Sequence, residues 1–219
     1  MLTDFDFQVI VNAAPFMWDG LKLTFLLTLL AISGGLFLGT LLALSRLSPF
    51  TFLSFAAGTY VNLFRSVPLI LVIFWFYFLV PFIVGRPVGG FYSVLVAFIL
   101  FEAAYYCEIM RSGIQSVRRG QAQAGQALGL TYRQNMQYIV LPQAFRNMIP
   151  ILLTQAVILF QDTSLVYVVG LHDFLVNSDI VATRENRLVE MFTTVAVVYF
   201  VLCLTASISI RELRRKFSP

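Results

Sequence analysis

Five apolar runs, each long enough to cross about 30 Å of hydrocarbon, constrain this chain more than any other feature. They lie at about 21–44, 57–84, 90–110, 147–169 and 190–210. Lipid offers no water to an exposed backbone, so spanning runs of this length close their hydrogen bonds internally as helices. Charged residues make up only 12% of the 219, and mean hydropathy is +0.84, against about 25% charged in an ordinary soluble domain. The expectation is an all-α membrane protein of one domain, 1–219, with about five spans. Pro68, inside the second run, predicts a break or kink there.

The formal charge of +4 does not point to nucleic acid, because the basic residues cluster beside the spans. With the N-terminus outside, ten fall on the cytoplasmic side: Arg46, Arg111, Arg118, Arg119, Arg133, Arg146, Arg211, Arg214, Arg215 and Lys216. Lys22, Arg86, Arg184 and Arg187 fall outside, and Arg65 is assigned to neither side. The excess of basic residues predicts N-out, C-in. Cys107 and Cys203 sit in apolar runs and read as packing residues. The N-terminus is acidic and lacks the basic region of a cleavable signal. No internal repeat is evident, which argues against an inverted-repeat carrier.

A polar segment at about 112–142 interrupts the apolar pattern and contains "GQAQAGQALGL" (120–130). Ala, Gln and Leu favour helix despite the two glycines. Ala122, Gly125 and Gly129 then share one face, which is nearly free of side chains and open to close approach by a partner backbone. The spacing sharpens this. Gln123-Ala124-Gly125 is followed three residues later by Gly129 and nine residues after that by Ile139, then Leu141-Pro142. It resembles the cytoplasmic E-A-A-x3-G-x9-I-x-L-P loop of bacterial ABC-importer permeases, with Gln123 in place of Glu and Gly125 in place of the second Ala. The literal Glu102-Ala103-Ala104 lies inside the third run and has nothing at that spacing after it.

The resemblance covers essentially the whole chain. "YVNLFRSVPLILVIFWFYFLVP" (60–81), "FEAAYYCEIMRSGIQS" (101–116) and "IVLPQAFRNMIPILLTQAVILFQDTSLVYVVGL" (139–171) are similar to the polar amino-acid permeases. "FQDTSLVY" and "FEAAYY" most resemble the glutamate/aspartate importers among them. The resemblance implies a type I ABC importer permease fold in a bacterial inner membrane, and transport of an amino acid. Its implied partners are two cytoplasmic ATPase subunits, a second permease of the same or a homologous chain, a periplasmic solute-binding protein and membrane lipid. It also implies that Gln123, Ala124, Gly125, Gly129, Ile139, Leu141 and Pro142 couple to the ATPase. The usual glutamate there can pair with an arginine of the ATPase, whereas Gln123 can only hydrogen-bond. The chain has no G-x-x-x-x-G-K-[ST] phosphate loop, so hydrolysis is expected in the partners. No cofactor is expected.

Polar residues within the runs are the substrate candidates. A carboxylate near the bilayer centre costs about 2.5–3.5 kcal/mol on insertion scales and needs a use or a partner. Asp162 could bind an α-ammonium, with Gln161, Thr163 and Ser164 adding neutral hydrogen bonds; a structural ion pair is the alternative. Glu102 has the same two readings. Two carboxylates would repel an acidic amino acid, and Arg65 is the cation that could grip its carboxylate; an interfacial anchor is the alternative. Glu108 and Arg111 read as a structural i, i+3 pair. Arg118, Arg119 and Arg133 face either lipid phosphate or the ATPase. Single His172 makes no metal site; 171–189 is an external polar region in which Asp173 and the 179–187 stretch read as a solvated loop, with contact to a binding protein the alternative. Transport of another polar amino acid is the alternative within the family; an ion-coupled carrier or channel would use Asp162 and Glu102 as proton or ion sites but leaves the loop spacing unexplained.

Overall fold

A computed structural model of the chain describes residues 5–217, with side chains to 215; the first four residues of the acidic N-terminus and the Lys216 side chain lie outside the described residues. The described chain is helical: α1 (Phe7–Arg46), α2 (Thr51–Arg65), α3 (Leu69–Val84), α4 (Gly90–Gln115), α5 (Arg119–Ala127), α6 (Tyr132–Val169), α7 (Phe174–Arg184) and α8 (Leu188–Phe217). Four of these, α1, α4, α6 and α8, are long and apolar enough to span alone, and the broken pair α2–α3 supplies the fifth candidate. The break falls at Ser66–Pro68, as Pro68 dictates: its ring fixes φ at −62° and ψ is extended at 139°. α1 has 40 residues, about 60 Å, so it begins well ahead of the expected first span.

Two further prolines act differently. Val80 N–H donates to the Trp75 carbonyl, and Leu141 N–H donates to the Met136 carbonyl, five residues back in each case. Each five-residue turn stands directly before an X-Pro step, Val80-Pro81 and Leu141-Pro142. A proline removes an N–H and crowds the carbonyl four residues earlier, and a widened π turn relieves that conflict without ending the helix.

The chain forms two compact units, and α1, α4, α6 and α8 each contribute to both. One comprises 1–32, 68–98 and 156–208. Its core joins Ala13, Met17 and Leu21 of α1 to Phe160, to Phe174, Val181 and Ala182 of α7, and to Met191 and Val195 of α8. The region 171–189, expected as external and polar with Asp173 and 179–187 in a solvated loop, is largely α7, with Phe174, Val176, Asn177, Ser178, Val181 and Ala182 buried. Asp173 caps it, Oδ1 accepting from Val176 N–H at 2.8 Å. Asn177 Nδ2 donates to the Phe16 carbonyl at 2.8 Å, and Phe174 N–H donates to Thr24 Oγ1 at 3.2 Å. Gly20 permits this docking, since a Cβ there would stand 2.9 Å from Asn177 Nδ2. Buried helix replaces solvated loop because the apolar residues of α7 recur at helical spacing among short polar ones, of which Asn177 bonds to α1 and Ser178 to the Phe174 carbonyl.

The other unit comprises 33–67, 99–155 and 209–219. Here Gly35 and Gly39 let α1 press on α4: added Cβ atoms would meet Glu102 Cβ at 2.9 Å and Tyr106 Cβ at 2.8 Å. This is a G-x-x-x-G contact, in which small residues bring two membrane helices together. Ala43, Val61, Ala104 and Cys107 continue the core, and Tyr60 Oη donates to the Leu100 carbonyl at 2.7 Å.

Candidate functional site

The polar segment 112–142 holds a short helix braced on its neighbour. α5 ends in a Schellman arrangement: Leu130 N–H donates to the Gly125 carbonyl at 3.1 Å and Gly129 N–H to the Gln126 carbonyl at 2.9 Å. Gly129 supplies the left-handed residue this requires, with φ +80°. α6 then starts with a capping box, Thr131 and Gln134 bonding reciprocally. Buried Asn135 donates Nδ2 to the Ala122 carbonyl at 2.7 Å, tying the start of α6 back to α5. Gly125 is buried at that contact; a Cβ would stand 2.7 Å from Ile139 Cδ1 and 2.9 Å from Asn135 Cγ.

This geometry corrects the expected open face. Gly125 is turned toward α6, Ala122 is half-buried, and Gly129 lies beyond the helix as its cap. The exposed side carries Gln123, Ala124 and Ala127, and the turn adds Leu128, 81% exposed, and Tyr132, 76% exposed. The sequence reading missed Leu128 and Tyr132; apolar residues standing alone in a polar segment were the available signal. Ile139, half-buried, packs toward Gly125, and Leu141-Pro142 closes the π turn.

Among the span residues, Asp162 ends the α-helical part of α6, where the chain tightens into a 3₁₀ turn over Thr163–Val169. Its carboxyl is half-buried and has no hydrogen-bond or ion-pair partner among the described residues. Gln161 is exposed beside it. Ser164 Oγ donates to the Gln161 carbonyl at 2.8 Å, and fully buried Thr163 donates to the Phe160 carbonyl at 2.6 Å.

Glu102 and Arg65 are in different surroundings. Glu102 is 0% exposed and takes Gln155 Nε2 at 3.2 and 3.3 Å on its two oxygens. Gln155, unremarked in sequence, is itself buried. Arg65 lies 3.9 Å from Glu108 and places its guanidinium 5.5 Å from the centroid of the Tyr105 ring. Glu108 also binds Arg46 at 2.6 Å, and Arg111. The expected Glu108–Arg111 pair is therefore part of a four-residue cluster. Among the described residues no group of His, Cys, Asp and Glu could hold a metal ion.

Known proteins match this chain along nearly its full length. It is 46% identical to the glutamate/aspartate import permease protein GltK of Escherichia coli O6:H1, covering 97% of this chain and 98% of that one. It is 31% identical to the arginine transport system permease protein ArtQ of Bacillus subtilis, covering 96% of each. A crystal structure of an amino acid ABC transporter with histidines superposes with a TM-score of 0.92 at 30% identity, covering 96% of this chain and 98% of that chain. The inward-facing MetNI methionine ABC transporter, at 19% identity and a TM-score of 0.70 over 97% of this chain and 98% of that one, shares the fold. Matched over residues 35–219, the chain belongs to the family of binding-protein-dependent transport system inner membrane components, and is a multi-pass, non-enzymatic subunit with the type I ABC importer permease fold.

Proposed function

We propose that this chain is the permease subunit of an ATP-driven importer of glutamate and aspartate. The observation that carries the site is Asp162. A carboxylate inside a span costs several kcal/mol unless something binds it, and this one is half-exposed with no partner among the described residues. An amino-acid α-ammonium supplies the missing charge, and the exposed Gln161 amide is placed in sequence to bond a substrate carboxylate. Ser164 can turn its hydroxyl to the same task; Thr163, fully buried, shapes the turn that presents them. Glu102 and Arg65 belong to the frame in this reading, one held by Gln155 and the other by Glu108 and Tyr105. The 46% identity to a glutamate/aspartate permease supports the substrate.

The importer works as two permease chains, this one and a same or homologous partner, with the N-terminus outside and the C-terminus inside. A periplasmic binding protein delivers substrate. Two ATPases dock on the α5 segments, where Gln123 and Ala124 meet the ATPase surface and Leu128 and Tyr132 anchor it apolarly. Gly125, Gly129, Ile139, Leu141 and Pro142 hold that surface rigid, so ATPase closure reaches α6 through Asn135 and the π turn.

Uptake by the full complex, with competing amino acids, tests this. Glutamate and aspartate outcompete glutamine and arginine in the wild type, and uptake requires ATP. Asp162→Asn weakens apparent affinity by about 10- to 100-fold, as losing a charged hydrogen bond implies. Preferential competition by arginine or glutamine would overturn the substrate. Uptake driven by a proton gradient alone would overturn the mechanism.

A further inference from the structure

Three guanidiniums converge on one carboxylate in the unit formed by 33–67 and 99–155. Arg46 is 2.6 Å from Glu108 Oε2, Arg65 is 3.9 Å from the same oxygen, and Arg111 binds Oε1 and, through Nε at 3.1 Å, Oε2. One arginine would neutralise Glu108, so the cluster carries a surplus of two positive charges, three minus one. Arg46 and Arg65 each stand in the last turn of their helices, whose carbonyl ends offset about half a charge apiece. A surplus near one unit charge remains, matching a single phosphodiester.

Donor capacity points the same way. Each guanidinium has five N–H groups and no acceptor. Arg111 spends three on Glu108 and Gln115, and Arg46 donates to Glu108. Arg65 makes no hydrogen bond among the described residues, places its guanidinium carbon 5.5 Å from the Tyr105 ring centroid, and leaves 40% of its side chain exposed. The location also fits, because the cluster gathers at the last turn of α1 and the closing turns of α4, the ends of two candidate spans. Two residues before Arg46 and Arg65 stand Leu44 and Leu63, 61% and 59% exposed, suited to acyl chains.

We propose that Arg46, Arg65 and Arg111 form a binding site for the phosphodiester of an anionic phospholipid headgroup. Glu108 spaces the arginines and limits their charge, and the residual positive charge rejects the ammonium of a zwitterionic headgroup. The test is mass spectrometry of lipid retained by the intact complex purified from vesicles of equimolar phosphatidylglycerol and phosphatidylcholine. The wild type retains phosphatidylglycerol preferentially. Arg65→Gln lowers that enrichment about fivefold, the ratio for losing one arginine near an anionic headgroup, with an unchanged melting temperature. Arg65→Lys restores part of it, and Glu108→Gln, where it folds, raises it. Equal retention of the two lipids, or Arg65→Gln matching the wild type, overturns the proposal. So does inorganic phosphate binding with the same Arg65 dependence but no headgroup preference, or displacement of the lipid by free glutamate.

Discussion

At the residue scale, the glycines of the 120–130 segment are needed for reasons a spacing pattern does not carry. Gly129 sits at φ +80° with nothing within 4 Å of a built Cβ, so its constraint is backbone conformation and not room. A left-handed L residue costs about 1–2 kcal/mol, less for Asn. Transport and ATPase co-purification should therefore rank Gly129, then Gly129→Asn, then Gly129→Ala, then Gly129→Val. A requirement for space would instead place Asn below Ala, and that order in a pull-down at equal membrane levels would refute the capping role. Asp173 makes a second residue-scale prediction. It is fully buried outside the spans, its Oδ2 has no partner, and burial pushes its carboxyl up to about 6. A folded-state value above the unfolded one, about 3.9, means the neutral form is favoured by folding. That contribution is present below about pH 4 and is lost as pH rises through 6, amounting to roughly 2–3 kcal/mol. Asp173→Asn keeps the cap and removes the titration. The difference in melting temperature between variant and wild type should widen in the variant's favour from pH 4 to pH 7; a constant difference would exclude a raised value.

At the scale of elements, the apolar runs announced the long helices and Pro68 announced the break between α2 and α3. The π turns were not legible, although both precede an X-Pro step in similar strings, "FLVP" and "YIVLP". Proline inside a helix can kink, break or widen it, and only the surrounding packing chooses. α7 is not legible as a helix in the sequence because it has 11 residues and mixes polar with apolar, and a soluble-type amphipathic helix is legible only against a known buried face. The α1–α4 contact was within reach of sequence, since Gly35 and Gly39 stand four apart in an apolar run. Gly39→Leu should be among the most damaging changes in α1. Its Cβ would stand 3.0 Å from the Ala103 carbonyl, which cannot rotate away, so overpacking of about 1–3 kcal/mol or more is expected. Gly58→Leu, with only a flexible Arg46 atom at 3.9 Å, should be tolerated; equal loss of detergent melting temperature for both would reject the close crossing.

For the whole molecule, the family and the fold follow from features that local sequence carries, namely apolar length, charge bias and motif spacing. Sidedness is the global property most open to direct test. Cysteine introduced at exposed Leu128 should react with an impermeant maleimide only from the cytoplasmic face, and cysteine at exposed His172 only from the outside. The native Cys107 and Cys203 are buried and give little background. The reverse labelling would invert the N-out, C-in assignment. The amino-acid sequence by itself determined that the chain crosses a membrane as helices, because unpaired backbone cannot exist in lipid, and that 112–142 is a distinct polar device. Only tertiary structure decided what individual residues do there. It turned Gly125 inward onto Asn135 and Ile139, left Leu128 and Tyr132 outward, and buried Glu102 on Gln155. It drew Arg65 into the Glu108 cluster and left Asp162 without a partner among the described residues. The reason is that a side chain's role depends on what stands opposite it, and those partners lie 10 to 53 residues away along the chain.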